Sequence, residues 1–202
     1  MTIRRGEDWG SVQPVPSEVT VLKHGRVLFE SLNSASPPTV VGVLSGDLHR
    51  TISSSSDPNH YQVGAPVSVV PVDLIRVRMG GSSVLCAAHV VARRSWWFGE
   101  ILVVAKAQFV GPWDVAPRSH PNDGWIDATL VRPTMGVRQR IAARKRLRTA
   151  SHLPHPDIQT TRIREGRWEF RRKVNIWADG VRLGPTAWIE VECVPDALMV
   201  CV

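Results

Sequence analysis

Three short carboxylate-and-glycine sites in this sequence have the residue types for chemistry. They are Gly46-Asp47 after an apolar run, Asn122-Asp123-Gly124 with Asp127 close behind, and Asp179-Gly180 between two strand-like stretches. A glycine after a strand gives a tight turn, and a helix that begins at Asp47, read as its N-cap, leaves amides where an anion can sit. Asp123 and Asp127 put two carboxylates near a hairpin-type turn, where backbone carbonyls could complete a hard-cation site. Asp179-Gly180 is a second Asp-Gly turn. Beside each stands a plain reading, in which all three are only turns.

Two further clusters need weighing. His152 and His155 in HLPHPD look like a metal pair, but the intervening prolines describe a rigid turn. Arg93, Arg94, Trp96 and Trp97 could stack on a nucleobase. No nucleic-acid motif accompanies them, so an edge packed by its own aromatics is the simpler reading.

The net charge is +7, from 25 bases and 18 acids, and the excess is local. Arg132 to Lys173 holds thirteen Lys or Arg against Asp157, Glu165 and Glu169. A field that concentrated attracts an anion, with Arg144, Lys145 and Arg146 at its densest point; the plain alternative is a solvated helix face with guarded strand edges. The three cysteines, Cys86, Cys193 and Cys201, are scattered and lack CxxC spacing, which argues for a reducing compartment. MTIRRGEDWG has no apolar leader core, and no stretch approaches a spanning helix, so a cytoplasmic location is expected.

The elements that must position these residues fall into two parts. Residues 1–60 read as an N-terminal arm, to about residue 17, followed by a strand at Glu18–Leu22, a helix over His24–Leu32 and a buried parallel-type strand at Thr39–Leu44. SSSSDPN marks the boundary. Residues 61–202 read as eight Val-, Ile- and Trp-rich segments divided by Gly, Pro, Asn and Asp, hence a mainly β, antiparallel sandwich or barrel. One interruption, Met135–Arg148, is helical, with Val137, Ile141 and Leu147 as its apolar residues and bases around much of its circumference.

In order and spacing, these turn segments resemble the C-terminal domain of the diacylglycerol kinase and sphingosine kinase type of lipid kinase, in the NAD kinase and diacylglycerol kinase superfamily. The residues that carry this are Val72-Asp73-Leu74, Gly111 with Val115-Ala116-Pro117, Asn122 to Asp127 in place of a DDG loop, Asp179-Gly180 in place of DGE, and Pro195 to Val200. The resemblance implies a β-sandwich of the lipid-kinase C-terminal type preceded by a small βαβ unit. It implies Asp123, with Asp127, as ligands of a structural magnesium, and Asp179 as the remnant of a catalytic or metal-positioning acid. Ser45-Gly46-Asp47 stands where the family has the first part of its phosphate-cradling GGDGT loop.

The departures all weaken metal and phosphate chemistry. Asn122 replaces an acid, Val181 replaces the glutamate of DGE, and Leu48 stands where a glycine would let a phosphate approach the backbone. The expectation is therefore a lipid-kinase-like protein with a reduced nucleotide part. It would bind an anionic lipid headgroup or a phosphorylated small molecule through Gly46, Asp47 and the 138–148 helix, with peripheral membrane contact. Magnesium is the cofactor such a chain would use, and ATP is disfavoured. The competing readings are an ATP-dependent diacylglycerol-kinase-type phosphotransferase and a basic module that contacts a protein or nucleic acid, the latter partner being disfavoured. Open strand edges allow a homodimer.

Overall fold

The computed structural model describes residues 9–202. The first part is a βαβ unit. β2 (Thr20–Leu22) and β3 (Val40–Val43) pair in parallel across α1 (Gly25–Leu32), whose Leu28 and Leu32 pack with Val41, Val43 and Leu48. A second helix, α2 (Asp47–Ile52), follows at once. Before this unit, Ser11–Pro14 of the expected arm forms β1 and pairs antiparallel with β4 (Pro66–Met79). All four β1 residues are exposed, so hydrophobic patterning gave no signal for it.

The rest is a strand-rich body: β5 (Ser82–Cys86), β6 (His89–Arg93), β7 (Ile101–Ala105), β8 (Phe109–Val110), β9 (Trp113–Asp114), β10 (Ile126–Val131), β11 (Ile158–Ile163), β12 (Glu165–Ala178) and β13 (Val181–Cys201). Apart from the β8–β9 hairpin they form one sheet with the order β1-β4-β13-β12-β6-β7-β10-β11, with β5 on β4 and the βαβ strands attached through β3 to β13. Every pairing in it is antiparallel except β2 with β3 and β3 with β13. The fold is thus the expected mainly β, antiparallel sandwich preceded by a small βαβ unit.

Two long strands make the body continuous. β13 pairs with β12 along its first half and with β4 along its second. The residue pattern predicts two strands here; there is one, interrupted where Val194 faces Leu74 and Leu198 faces Val72. Two extra residues on one side keep the side-chain alternation in phase. On β4, Val70, Val72 and Leu74 face α1 and α2, while Ile75 and Val77 enter the sandwich core with Leu102, Val104, Ile176 and Ile189. Burial on both faces explains the nearly unbroken apolar run VSVVPVDLIRV, and Asp73 is the one acid inside it.

α3 (Val137–Arg146), continued by a 3₁₀ turn at Leu147–Thr149, lies where the helix was expected, but its facing is reversed. Val137 and Ile141 are 37% and 42% exposed, and the residue that turns inward is Arg140, 5% exposed. Its guanidinium donates to the carbonyls of Met135 (2.9 Å), Gly99 (2.5 Å), Arg132 (3.0 Å) and Trp96 (3.4 Å). Five N–H donors in a planar fork can collect carbonyls from two loops at once.

Candidate functional site

The βαβ unit meets the sandwich at a cleft of about 170 Å³, lined by His24, Gly25, Arg26, Ser45, Gly46, Asp47, His89 and Asp179 among others. Three of the sequence-predicted residues, Gly46, Asp47 and Asp179, are therefore brought together. Gly46 has φ +116° and ψ −176°, and a Cβ there would lie 3.0 Å from the Gly25 amide nitrogen, so the turn requires glycine. Gly46, not Asp47, is the N-cap of α2; Asp47 is its first helical residue, and α2 has no side-chain cap. Leu48 is buried against α1.

Asp47 is already engaged. Its Oδ1 accepts from the Gly111 amide at 2.9 Å, and Oδ2 lies 3.3 Å from His89 Nδ1. Burial raises its carboxyl above the usual range, with His89 the largest opposing influence. Arg50, one turn along α2, donates to the Gly111 carbonyl at 3.2 Å and stacks on Phe109. α2 thus clamps the β8–β9 hairpin.

Asp179 occupies the left-handed region, φ +46°, next to Gly180 at +79°, the pair of positive φ values that a tight hairpin between β12 and β13 demands. The same turn sends its carboxylate back into the protein. Oδ2 accepts from the Ala87 amide at 2.7 Å, and Oδ1 from those of Ala88 and His89, both at 2.9 Å.

The second predicted loop forms a separate cluster. Asp123 Oδ1 receives Lys106 Nζ at 3.1 Å and its Oδ2 is bound by Arg162. Asp127 lies 3.8 Å from the same arginine's Nε, and burial raises its pKa. Lys106, 0% exposed, was missed in the sequence, where it sits in the apolar run VVAKAQFV like a guarded strand edge. Its further partners are Asp73 Oδ2 at 2.8 Å and the Trp125 carbonyl at 2.7 Å.

The third group, Arg144, Lys145 and Arg146, lies on exposed α3 positions, and no α3 residue lines the cleft beside Gly46. The helix instead roofs an apolar cavity of about 100 Å³ walled by Trp96, Trp97, Trp113, Val115, Leu147 and Ile158. Arg144 stacks on Trp113 and Trp97, 4.9 and 5.5 Å from their centroids. His152, 3% exposed, also lines this cavity, and burial lowers its pKa; the His155 ring instead accepts the Asp157 amide at 3.1 Å, so the two rings do not converge. Arg93 lies between Trp96 and Trp177 at 4.2 and 4.3 Å. Much of the tryptophan excess thus serves to seat arginines.

Beside α3, Arg94, Arg171 and Arg172 line an open groove of about 360 Å³ together with Gly99 and Pro133. No local pattern in the sequence signals this groove, whose walls come from segments far apart in the chain. Arg171 and Arg172 fall where the β12 register breaks, between Glu169 and Val174, and Arg140 holds the Gly99 carbonyl on the groove's other wall.

Comparison with known proteins agrees with this architecture. No curated protein matches the chain. A diacylglycerol kinase structure from Bacillus anthracis str. Sterne superposes with a TM-score of 0.60 at 12% identity, covering 91% of this chain and 75% of that one. Two more structures from that organism, assigned as diacylglycerol kinases, give TM-scores of 0.65 and 0.64 at 12% and 13% identity, over 91% of this chain and 77% of theirs. At that identity the likeness concerns the fold. The family model of the YegS C-terminal NAD kinase beta sandwich-like domain matches residues 76–202. The chain accordingly belongs to that family.

Proposed function

We propose that this chain is a lipid-kinase-like binding protein that engages an anionic amphiphile on its α3 side and is not an autonomous kinase. The observation that carries the reading is the reversed facing of α3. The helix buries Arg140 and shows Val137 and Ile141 to solvent among Arg138, Arg144, Lys145 and Arg146. Exposed aliphatic groups set among bases are the surface an anionic bilayer attracts and then admits to its interfacial layer. Phe98, 67% exposed, belongs to the loop that Arg140 ties to α3, and the groove beside it sets Arg94, Arg171 and Arg172 against the single carboxylate of Glu100, leaving the positive excess that a phosphate headgroup would need. No helix of the described residues is long and apolar enough to cross a membrane.

The test is sedimentation with vesicles of phosphatidylcholine alone or with phosphatidylglycerol. Binding should require the anionic lipid, weaken with salt, and vanish when Arg144, Lys145 and Arg146 are all changed to Glu. Unchanged binding in that folded variant overturns the reading.

A second reading, an ATP-dependent phosphotransferase, is favoured by one observation: Gly46, Asp47 and Asp179 share a cleft. Against it, Asp179 already accepts three amides, and Val181 stands in place of the DGE glutamate. Magnesium-dependent ATP turnover on diacylglycerol, lost in Asp179→Asn, would establish it.

A further inference from the structure

We propose that the ammonium group of Lys106 is the cation around which the Asn122–Trp125 loop is built, so that this chain holds the loop without a divalent metal. An ammonium has three protons, and each finds one oxygen here: Asp73 Oδ2, Trp125 O and Asp123 Oδ1, at 2.8, 2.7 and 3.1 Å. Two carboxylates and a carbonyl converging on one point are the oxygens a hard cation would take. They come from β4 and from the loop itself, and the cation they enclose is covalently part of the chain.

The surrounding bonds complete the cage. Asp73, also fully buried, accepts the Gly124 amide (2.8 Å), the Asp196 amide (3.0 Å) and Asn122 Nδ2 (3.1 Å). The interruption in β13 thus wraps around the carboxylate that neutralises Lys106.

Magnesium does not fit this arrangement. It needs about six oxygens at roughly 2.1 Å, and any ion sharing these three would sit within a few ångströms of a buried positive charge, where repulsion far exceeds its strength in water. The two carboxylates that such an ion would take are already paired within the chain. Lys106 and Arg162 balance Asp73 and Asp123, Arg162 also faces Asp127, and Asn122 presents amide protons to Asp73 and Asp196. Among the described residues, no group of three or more His, Cys, Asp and Glu side chains could hold a metal.

Thermal unfolding of the full chain, in excess EDTA and in millimolar Mg²⁺, tests this. The midpoint should be the same in both, and Lys106→Met, which keeps the stem and removes the charge, should lower it by roughly 10 °C, because the buried Asp73 carboxylate loses its counter-ion and the part-buried Asp123 one of its two. A wild-type midpoint that Mg²⁺ raises and EDTA lowers, or a Lys106→Met variant as stable as wild type, overturns the proposal. If Lys106→Met does not fold, Mn²⁺ titration followed by electron paramagnetic resonance decides. Stoichiometric binding that Asp123→Asn abolishes overturns the proposal, and its absence, or binding indifferent to that change, supports it.

Discussion

Asp179 and His89 hold each other twice: the His89 amide donates to Asp179 Oδ1 at 2.9 Å, and the Asp179 amide donates to the His89 carbonyl at 3.0 Å. With the Ala87 and Ala88 amides on the same carboxylate, the β12–β13 turn is pinned to the segment between β5 and β6. Asp179→Ala would strand three amides and put alanine at positive φ, for an expected loss of roughly 2–4 kcal/mol. Asp179→Asn should lose clearly less, since asparagine tolerates that backbone and keeps one acceptor oxygen. Urea denaturation of both variants checks this; an alanine variant as stable as wild type would show that the residue carries no structural role.

Arg140 connects α3 to two loops through four carbonyls. Arg140→Met fills the space without the donors, and should cost roughly 2–4 kcal/mol by leaving buried carbonyls unpaired. Arg140→Lys should rescue little, since a point ammonium cannot span the same acceptors. The expected signature is faster trypsin cleavage within residues 132–148 in both variants. Cleavage at the wild-type rate would mean that other contacts hold the helix.

Arg140 and Lys106 also show what was legible in the sequence. Strand runs bounded by Asp-Gly or Asn-Asp-Gly, such as β10, and the βαβ unit could be read because period and turn residues are local properties. The candidate acids of the cleft were legible for the same reason, since each stands next to a glycine of positive φ. A single base inside an apolar stretch is ambiguous, because its role depends on Asp73 and Asp123, distant in sequence and close only after folding. The helix was found by composition, but its facing followed from carbonyls on other segments. Likewise Pro195-Asp196 reads as a strand end, and becomes an interruption in β13 only because the Asp196 amide has Asp73 to bind.

His152 gives the protein an acid-side weakness. Burial holds its pKa below the usual value of about 6.5, so the folded state favours the neutral ring. For a histidine with a depressed folded pKa, stability is fully present above the unfolded value and falls as the pH drops through it toward the folded one. Asp47 and Asp127, whose carboxyls are raised by burial, act in the opposite sense, since their protonation relieves a cost of folding. The comparison therefore has to be between variants. Between about pH 7.5 and about pH 5.5, the wild-type urea midpoint should fall further than that of His152→Phe. Equal falls would remove His152 from the account.

Cys86, Cys193 and Cys201 are free and buried. Burial pushes the Cys193 thiol up to about 11 and raises the other two, so little reactive thiolate forms near neutrality. The native chain should be almost silent to a disulfide-exchange reagent and should release three equivalents in denaturant, in keeping with its three cysteines. Rapid reaction of one native thiol would show that its surrounding sheet opens on the assay timescale.

The α3 surface separates two kinds of attraction that a charge reversal alone would merge. Long-range attraction by Arg144, Lys145 and Arg146 should fall with salt, whereas seating Val137 and Ile141 in the interface should depend on apolar area and resist salt. Both aliphatic side chains already face solvent, so Val137→Ser with Ile141→Ser should leave the unfolding midpoint within about 0.5 kcal/mol of wild type. On anionic vesicles, that pair should retain the salt-sensitive part of binding at low ionic strength and lose most of what survives at high salt. If the double variant binds like wild type at every salt concentration, the helix touches only headgroups, and its two outward-facing aliphatic residues serve some other contact.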